Sequence, residues 1–333
     1  MATFLNPAPA DPVGTPPARR PGSVRRTSTV LMSWPAGPSA ELHLKGRARD
    51  LVTPLVGEPR VIAAANLYAV SGRERDIQRI ESNPAVPGLE RLIGCRAGGN
   101  LRASIAAELP GEMENGTPLH LLLDDLAGST LISGFTLILW GEVFPEIGER
   151  MKVGAGTRVM RDVCAGFRDG SAAIKPDGTM AGLHQNTTPT GRIDDPTDPL
   201  SWHELDDHSG MAMRRARRID VWYDGGELRI DSMFRDSVWN PEGQEVVLHE
   251  YEIFAAADRA SGTLDSVTAV PRVLPYAECP GAAPNASWMA GTDLRTMRGE
   301  VLQRLRNADC CTHLNDGLRA LAEVPVLATA LRD

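Results

Sequence analysis

Residues 218–238 read RIDVWYDGGELRIDSMFRDSV, and residues 30–52 read VLMSWPAGPSAELHLKGRARDLV. In the first stretch Ile219, Val221 and Tyr223 alternate with other residues, Asp224-Gly225-Gly226 supplies positive-φ turn positions, and Leu228 and Ile230 resume the alternation. Period-two alternation around a glycine turn predicts a β-hairpin. The earlier stretch has the same shape. Val30, Met32 and Trp34 lead into Pro35-Ala36-Gly37-Pro38, and Leu42 and Leu44 return. Arg25-Arg26 precedes one stretch and Arg214-Arg215 the other, Trp34 answers Trp222, and Arg49-Asp50 answers Arg235-Asp236. Glu41 to Asp50 spans nine positions, as does Glu227 to Asp236. The expectation is one unit present twice.

The match extends outward. Tyr68 aligns with Tyr251, Cys95 with Cys279, and His120 more loosely with His313. Residues 246–258 and 263–270 read as a second hairpin, with Val247, His249, Tyr251 and Ile253 on one face. Helical spacing follows over 293–307 and 310–331, the latter bent at Pro325. Cys279-Pro280 opens a further helix. NLRASIAAEL and PLHLLLDDLAG (from Asn100 and Pro118) play these parts earlier in the chain. The fold class expected is α+β: a tandem duplication of antiparallel strands followed by two or three helices, packed as a pseudo-dimer. Residues 1–22, proline-rich, read as a disordered arm. Residues 23–134 are the first, degenerate repeat, 135–213 a connecting segment or lid, and 214–333 the equipped repeat.

Charge narrows the function classes. A net charge of −8 argues against a nucleic-acid backbone as partner. The arginine pairs at 19–20, 25–26, 214–215 and 217–218 read as strand ends and solvated faces. No apolar run reaches the roughly 18 residues of a membrane span. Five cysteines, an odd number, fit a reducing compartment, so the expected location is cytoplasmic. There is no phosphate-binding glycine loop, dinucleotide fingerprint or GxSxG elbow.

The reactive residue types are concentrated in the second repeat. His249, Glu250, Tyr276 and Cys311 have no counterpart in the first. His249 reads as a general acid/base, with Asp236 or Glu250 orienting it and Tyr276 as proton donor or hydrogen-bond anchor. Cys279 and Cys311 sit where helices are expected to begin, a position that favours thiolate. They and Tyr251 would line the pocket. Trp202-His203, in an acidic loop, would cap it.

The run RDS…LHEY…LPYAEC…CTHLNDGLRAL resembles a bacterial family of domains of unknown function, marked by HEY, PYxxC and CTHL. Here those marks fall on His249, Pro275 to Cys279, and Cys311 to Leu314. The resemblance is clear over 214–325 and faint over 25–130. Cysteines opening successive helices are also similar to iron–sulfur cluster scaffold proteins. That resemblance would imply zinc or an iron–sulfur cluster on Cys279, Cys311, His313 and His249, although no cysteine lies on the second hairpin.

The expected function is acid/base catalysis without a cofactor on a small, largely apolar molecule, by a lyase, hydratase/dehydratase or isomerase. The alternatives are a metal- or cluster-binding scaffold and a ligand-binding module. The sequence does not give the oligomeric state.

Overall fold

The computed structural model describes residues 11–141, 143–144, 147, 161–178 and 187–331. The first ten residues of the expected arm and parts of the connecting segment expected over 135–213 lie outside them. Strands β1 (Ser23–Ser33), β2 (Leu42–Thr53), β3 (Arg60–Ser71) and β4 (Ile77–Asn83) come first. Helices α1 (Leu101–Glu108), α2 (Pro110–Glu114), α3 (Pro118–Ile132) and α4 (Gly134–Leu139) follow. The short β5 (Thr188–Pro189) precedes β6 (Ala212–Asp224), β7 (Glu227–Trp239), β8 (Glu245–Asp258) and β9 (Leu264–Pro271). A 3-10 run over Cys279–Met289 leads to α5 (Met297–Arg304), α6 (Thr312–Ala320) and α7 (Val324–Thr329). Pro325 sits in the first turn of α7, so the expected bend at this proline is a helix restart.

The nine strands among the described residues form one antiparallel sheet in the order β4-β3-β2-β1-β6-β7-β8, with β5 and β9 both on the outer edge of β8. The α+β class is as expected. β1 pairs with β6 at the centre, from Ser23 opposite Trp222 to Ser33 opposite Ala212, so each four-stranded run continues into the other.

Details recur on either side of that centre. Arg26 makes a two-point ion pair with Asp50 on β2, both contacts at 2.6 Å. Arg215 does the same with Asp236 on β7, both contacts at 2.9 Å. The ladder register shifts immediately after each aspartate, skipping Ile62 on β3 and Leu248 on β8. Gly94 and Gly291 both take left-handed φ, and each donates at 2.7 Å to the first residue of β4 or β9. Across the ladder Asp50 faces Ala63, whereas Asp236 faces His249. The expected pairing of Tyr68 with Tyr251 is therefore displaced by three positions. Cys95 holds the place of Thr292 rather than Cys279, because the Cys95 and Thr292 carbonyls accept equivalent bonds from Ile77 and Leu264.

The helices cover one face of the sheet. α3 packs on β1, β2 and β3, and with α4 it forms an apolar stretch, Pro118–Leu139, long enough to cross a membrane. Within the fold 67% of that stretch's most apolar window is buried, as in a core helix. The opposite face is covered too, by residues 11–22 and 190–208. Those arm residues are tied down, correcting the expectation of disorder there. The Val13 N–H donates to Glu250 at 2.5 Å, Arg235 bonds the Val13 carbonyl, and Arg19 grips Asp198 at 2.6 and 2.9 Å.

The arginine pairs at 25–26, 214–215 and 217–218 are not solvated. Arg26, Arg215, Arg218 and Arg235 are among the largest fully buried side chains. Strand alternation sends Arg26, Arg215 and Arg217 under the helices and Arg25, Arg214 and Arg218 to the other face, where each meets carboxylates. Burial of an arginine is tolerable only with such pairing. The pairs also tie the halves together. Arg26 reaches Glu323 near the end of the chain at 3.1 Å, and Arg217 reaches Asp125 on α3 at 2.5 and 2.8 Å.

Candidate functional site

Asp236, His249 and His313 meet beneath α6, with one ligand-capable atom from each lying within 4.8 Å of the others. The sheet supplies two of them. Asp236 and His249 are opposite one another on β7 and β8 at the register shift, and bulges of this kind re-aim side chains. α6 supplies the third from its first turn. The imidazoles stack, with ring centroids 3.5 Å apart and planes 14° from parallel. His249 Nδ1 lies 4.0 Å and His313 Nε2 3.8 Å from Asp236 Oδ2. Phe135 meets the His249 ring edge-on and Phe234 lies against His313.

Asp236 is held from behind by Arg215, which also contacts Asp125 at 3.4 Å and Asp316 at 3.2 Å. Burial pushes the His313 pKa down to about 3, reinforced by the positive charges of Arg215 and Arg217. Burial, then the stacked His313, drives His249 well below its ordinary value against the opposing pull of Asp236. Both rings are neutral at pH 7. His249 is 3% exposed, and its Nδ1 has no hydrogen-bond partner among the described residues. On His313, Nδ1 faces Thr312 Oγ1 at 3.4 Å and Cys311 Sγ at 4.0 Å, while Nε2 faces the carboxylate.

A thiol- and phenol-rich layer adjoins this cluster. Tyr251 follows His249 two residues along the same face of β8, fully buried, with its hydroxyl against the Cys311 thiol. Cys311, Cys279 and Cys164 surround Tyr251 closely enough to raise its pKa further, beyond the effect of burial. Tyr276 is pushed up to about 12 by burial and by Cys279 and Cys164, and Phe167 packs on its ring. Thiolate at the two helix starts is not what forms. Burial outweighs the favourable N–H groups, driving the Cys279 thiol well up and Cys311 to about 11. Residues 164–167 press so close that a Cβ on Gly166 would come within 2.6 Å of Cys279 Sγ.

The expected site residues divide between the two faces. Asp236, His249, His313, Tyr251, Tyr276, Cys279 and Cys311 share the helical side. Glu250 points the other way and pairs with Arg235 at 2.6 Å, so it does not orient His249. Trp202 and His203 also lie across the sheet and do not cap this site. His203 bridges Thr27 and Thr29 of β1 at 2.9 and 2.8 Å. Sequence reasoning missed Cys164, Phe135 and Arg215. Only Arg215 left a signal, in its match to Arg26.

No curated protein and no solved structure matches this chain. Residues 213–327, which contain Asp236, His249, Tyr251, Cys279, Cys311 and His313, match the profile of a family described as "Protein of unknown function (DUF2889)".

Proposed function

We propose that this chain is an enzyme catalysing acid/base chemistry on a small, largely apolar molecule, centred on Asp236, His249 and His313. The observation that carries the reading is the stacked, buried imidazole pair facing one carboxylate. A neutral imidazole accepts a proton from a substrate, and Asp236 offsets the charge that develops. Two rings at stacking distance do not both carry a proton, so the pair works as one acid/base unit. Tyr251, two residues from His249 on the same face of β8, is better placed as the proton donor than Tyr276. Phe135, Phe234 and Cys311 give the apolar surroundings that favour an apolar substrate. Lyase, hydratase/dehydratase and isomerase reactions all fit.

The proposal includes an internal duplication. Its support is the repeated ion pair, the register shift after each aspartate and the matching left-handed glycines. Ala63 where the second half has His249 restricts the chemistry to one half. A cytoplasmic location agrees with free cysteines throughout the described residues.

The test is a mass-spectrometric comparison of small-molecule cell extract incubated with wild-type protein and with His249→Ala. One small molecule should change with wild type only, while the variant's melting temperature stays within a few degrees. An identical change with both proteins, or with neither, removes the reading.

A second reading, metal binding, is favoured by the mutual approach of the three donors. Imidazole and carboxylate suit zinc or iron(II), a donor set different from the one that the scaffold resemblance would imply. Against it stands the Arg215 guanidinium already on Asp236. Elemental analysis of protein purified without chelator is expected to show less than a tenth of an ion per chain. One ion per chain, lost in His313→Ala, would establish the second reading in place of the first.

A further inference from the structure

The outer edge of β3 is half open. β2 pairs with β3 from Arg60 to Ser71, but β4 covers the other side only over residues 66–71. Residues 60–65 have no backbone partner on that outer side among the described residues. The matching edge in the second half is closed. Register identifies the match. Ala63, Val61 and Arg60 stand opposite Asp50, Leu51 and Val52, as His249, Val247 and Val246 stand opposite Asp236, Ser237 and Val238. On β8, strand β5 pairs with Val246 and Val247, and Thr190 donates to the Glu245 carbonyl at 3.0 Å. Glu250 donates to the Val273 carbonyl at 2.7 Å and accepts from Arg272 at 2.9 Å. Val247 and Leu248 are buried, whereas their counterparts Val61 and Ile62 are 52% and 37% exposed.

An open strand edge offers N–H and C=O groups to any extended chain, and proteins ordinarily guard it with charge or proline. β4 is guarded, with Arg79 and Glu81 exposed on it. The open part of β3 is not, since residues 61–65 read VIAAA without a charge. The bulge at Ile62 does not protect it, because β8 carries the same bulge and is paired on both sides of Leu248. The turn before β3 extends the apolar surface, with Leu55 81% and Val56 91% exposed. Apolar surface gathered in this way marks an interaction site.

We propose that residues 60–65 form a dimerisation edge, occupied by the same segment of a second copy of this chain running antiparallel. Such an edge is self-complementary about a two-fold axis, so one segment serves both sides. Pairing about Ile62 sets Ile62 against Ile62 and Val61 against Ala63. Each Arg60 then falls opposite Ala64, so like charges do not meet. Pro59, which has no N–H to extend a ladder, falls opposite Ala65. The added strand therefore ends where β4 begins, at Asn83 opposite Asn66. The paired backbone, Val61, Ile62 and the two hairpin tips together bury on the order of 1,000 Å², enough for a reversible dimer. The join repeats the one inside the chain, where β1 and β6 unite two four-stranded runs edge to edge. It lies at the opposite end of the sheet from β8 and does not depend on the chemistry at His249.

The experiment is sedimentation equilibrium of the full chain over roughly 1–200 μM, the range in which an interface of this size dissociates. The mean mass should rise with concentration from one chain to two. Val61→Lys and Ile62→Lys add charge at exposed edge positions, and each should raise the dissociation constant about tenfold or more. The two positions serve as separate readings if either variant folds poorly. Hydrogen exchange locates the contact: the amides of residues 60–65 that do not bond β2 should be protected in the concentrated sample and exchange freely in the dilute one. A one-chain mass throughout, or a dimer that neither variant weakens, would overturn the proposal. Protection of those amides that is independent of concentration would overturn it too, since a segment of the same chain would then cover the edge.

Discussion

Between pH 7 and pH 5 the protein is expected to lose roughly 4–6 kcal/mol of folding stability. The source is its buried neutral histidines. His203 and His313 are pushed down to about 3, and His249 well below its ordinary value, in each case first by burial. The unfolded chain titrates these rings near pH 6.5. A ring that resists protonation only when folded contributes its full stability above about pH 6.5. That contribution drains as the pH falls and the unfolded state takes up the proton, and the loss stops only where the folded ring itself titrates. Each such ring gives up about 2 kcal/mol between pH 7 and 5. His313, whose side chain is 18% exposed, gives less than the other two, which sets the lower end of the range. The paired carboxylates act later. Glu323 is held down to about 2, the bond from His120 and the charges of Arg26 and Arg298 together overcoming its burial, so its share is lost below about pH 4.5. Urea denaturation at pH 7, 6 and 5 measures the effect, and His203→Gln should make the slope shallower by one proton. Equal stability at pH 7 and 5 would mean the rings are solvated.

Asp125→Ala is expected to cost about 3–5 kcal/mol. Asp125, on α3, accepts from Arg217 at two points and from Arg215 at one, and all three residues are buried. Its removal strands guanidinium charge between sheet and helices, where water does not replace the partner. α3 leaves no room for compensation, since a Cβ on Gly128 would already collide with Arg215. The contrast is Glu204→Ala, which breaks an exposed contact with Arg47 and should cost under about 1 kcal/mol. Chemical denaturation of both variants reads the difference. Near-equal costs would show that the buried network contributes no more than a surface pair.

The hairpins were legible in the sequence because half-buried strands write a period of two. Asp224-Gly225-Gly226 marked its turn directly. The alternation also placed His249 and Glu250 on opposite faces. Register was less legible. A β-bulge adds a residue that composition does not reveal, so Tyr68 and Tyr251 stand at different ladder distances from Asp50 and Asp236. Arginine pairs looked like surface because their carboxylate partners lie on other strands and on helices far along the chain. Trp202 and His203 sit in a loop, and no periodicity says which face a loop covers. The thiolate expectation failed because a helix start acts locally, whereas burial depends on everything packed above it.

The most direct measurement of the proposed chemistry is deuterium uptake. Small-molecule extract is incubated in D2O with wild-type protein, with His249→Ala and with His313→Ala, and analysed by mass spectrometry. Acid/base catalysis at the histidine pair predicts solvent deuterium at carbon in one molecule with wild type, and none with either folded variant. Equal uptake in all three samples would contradict it.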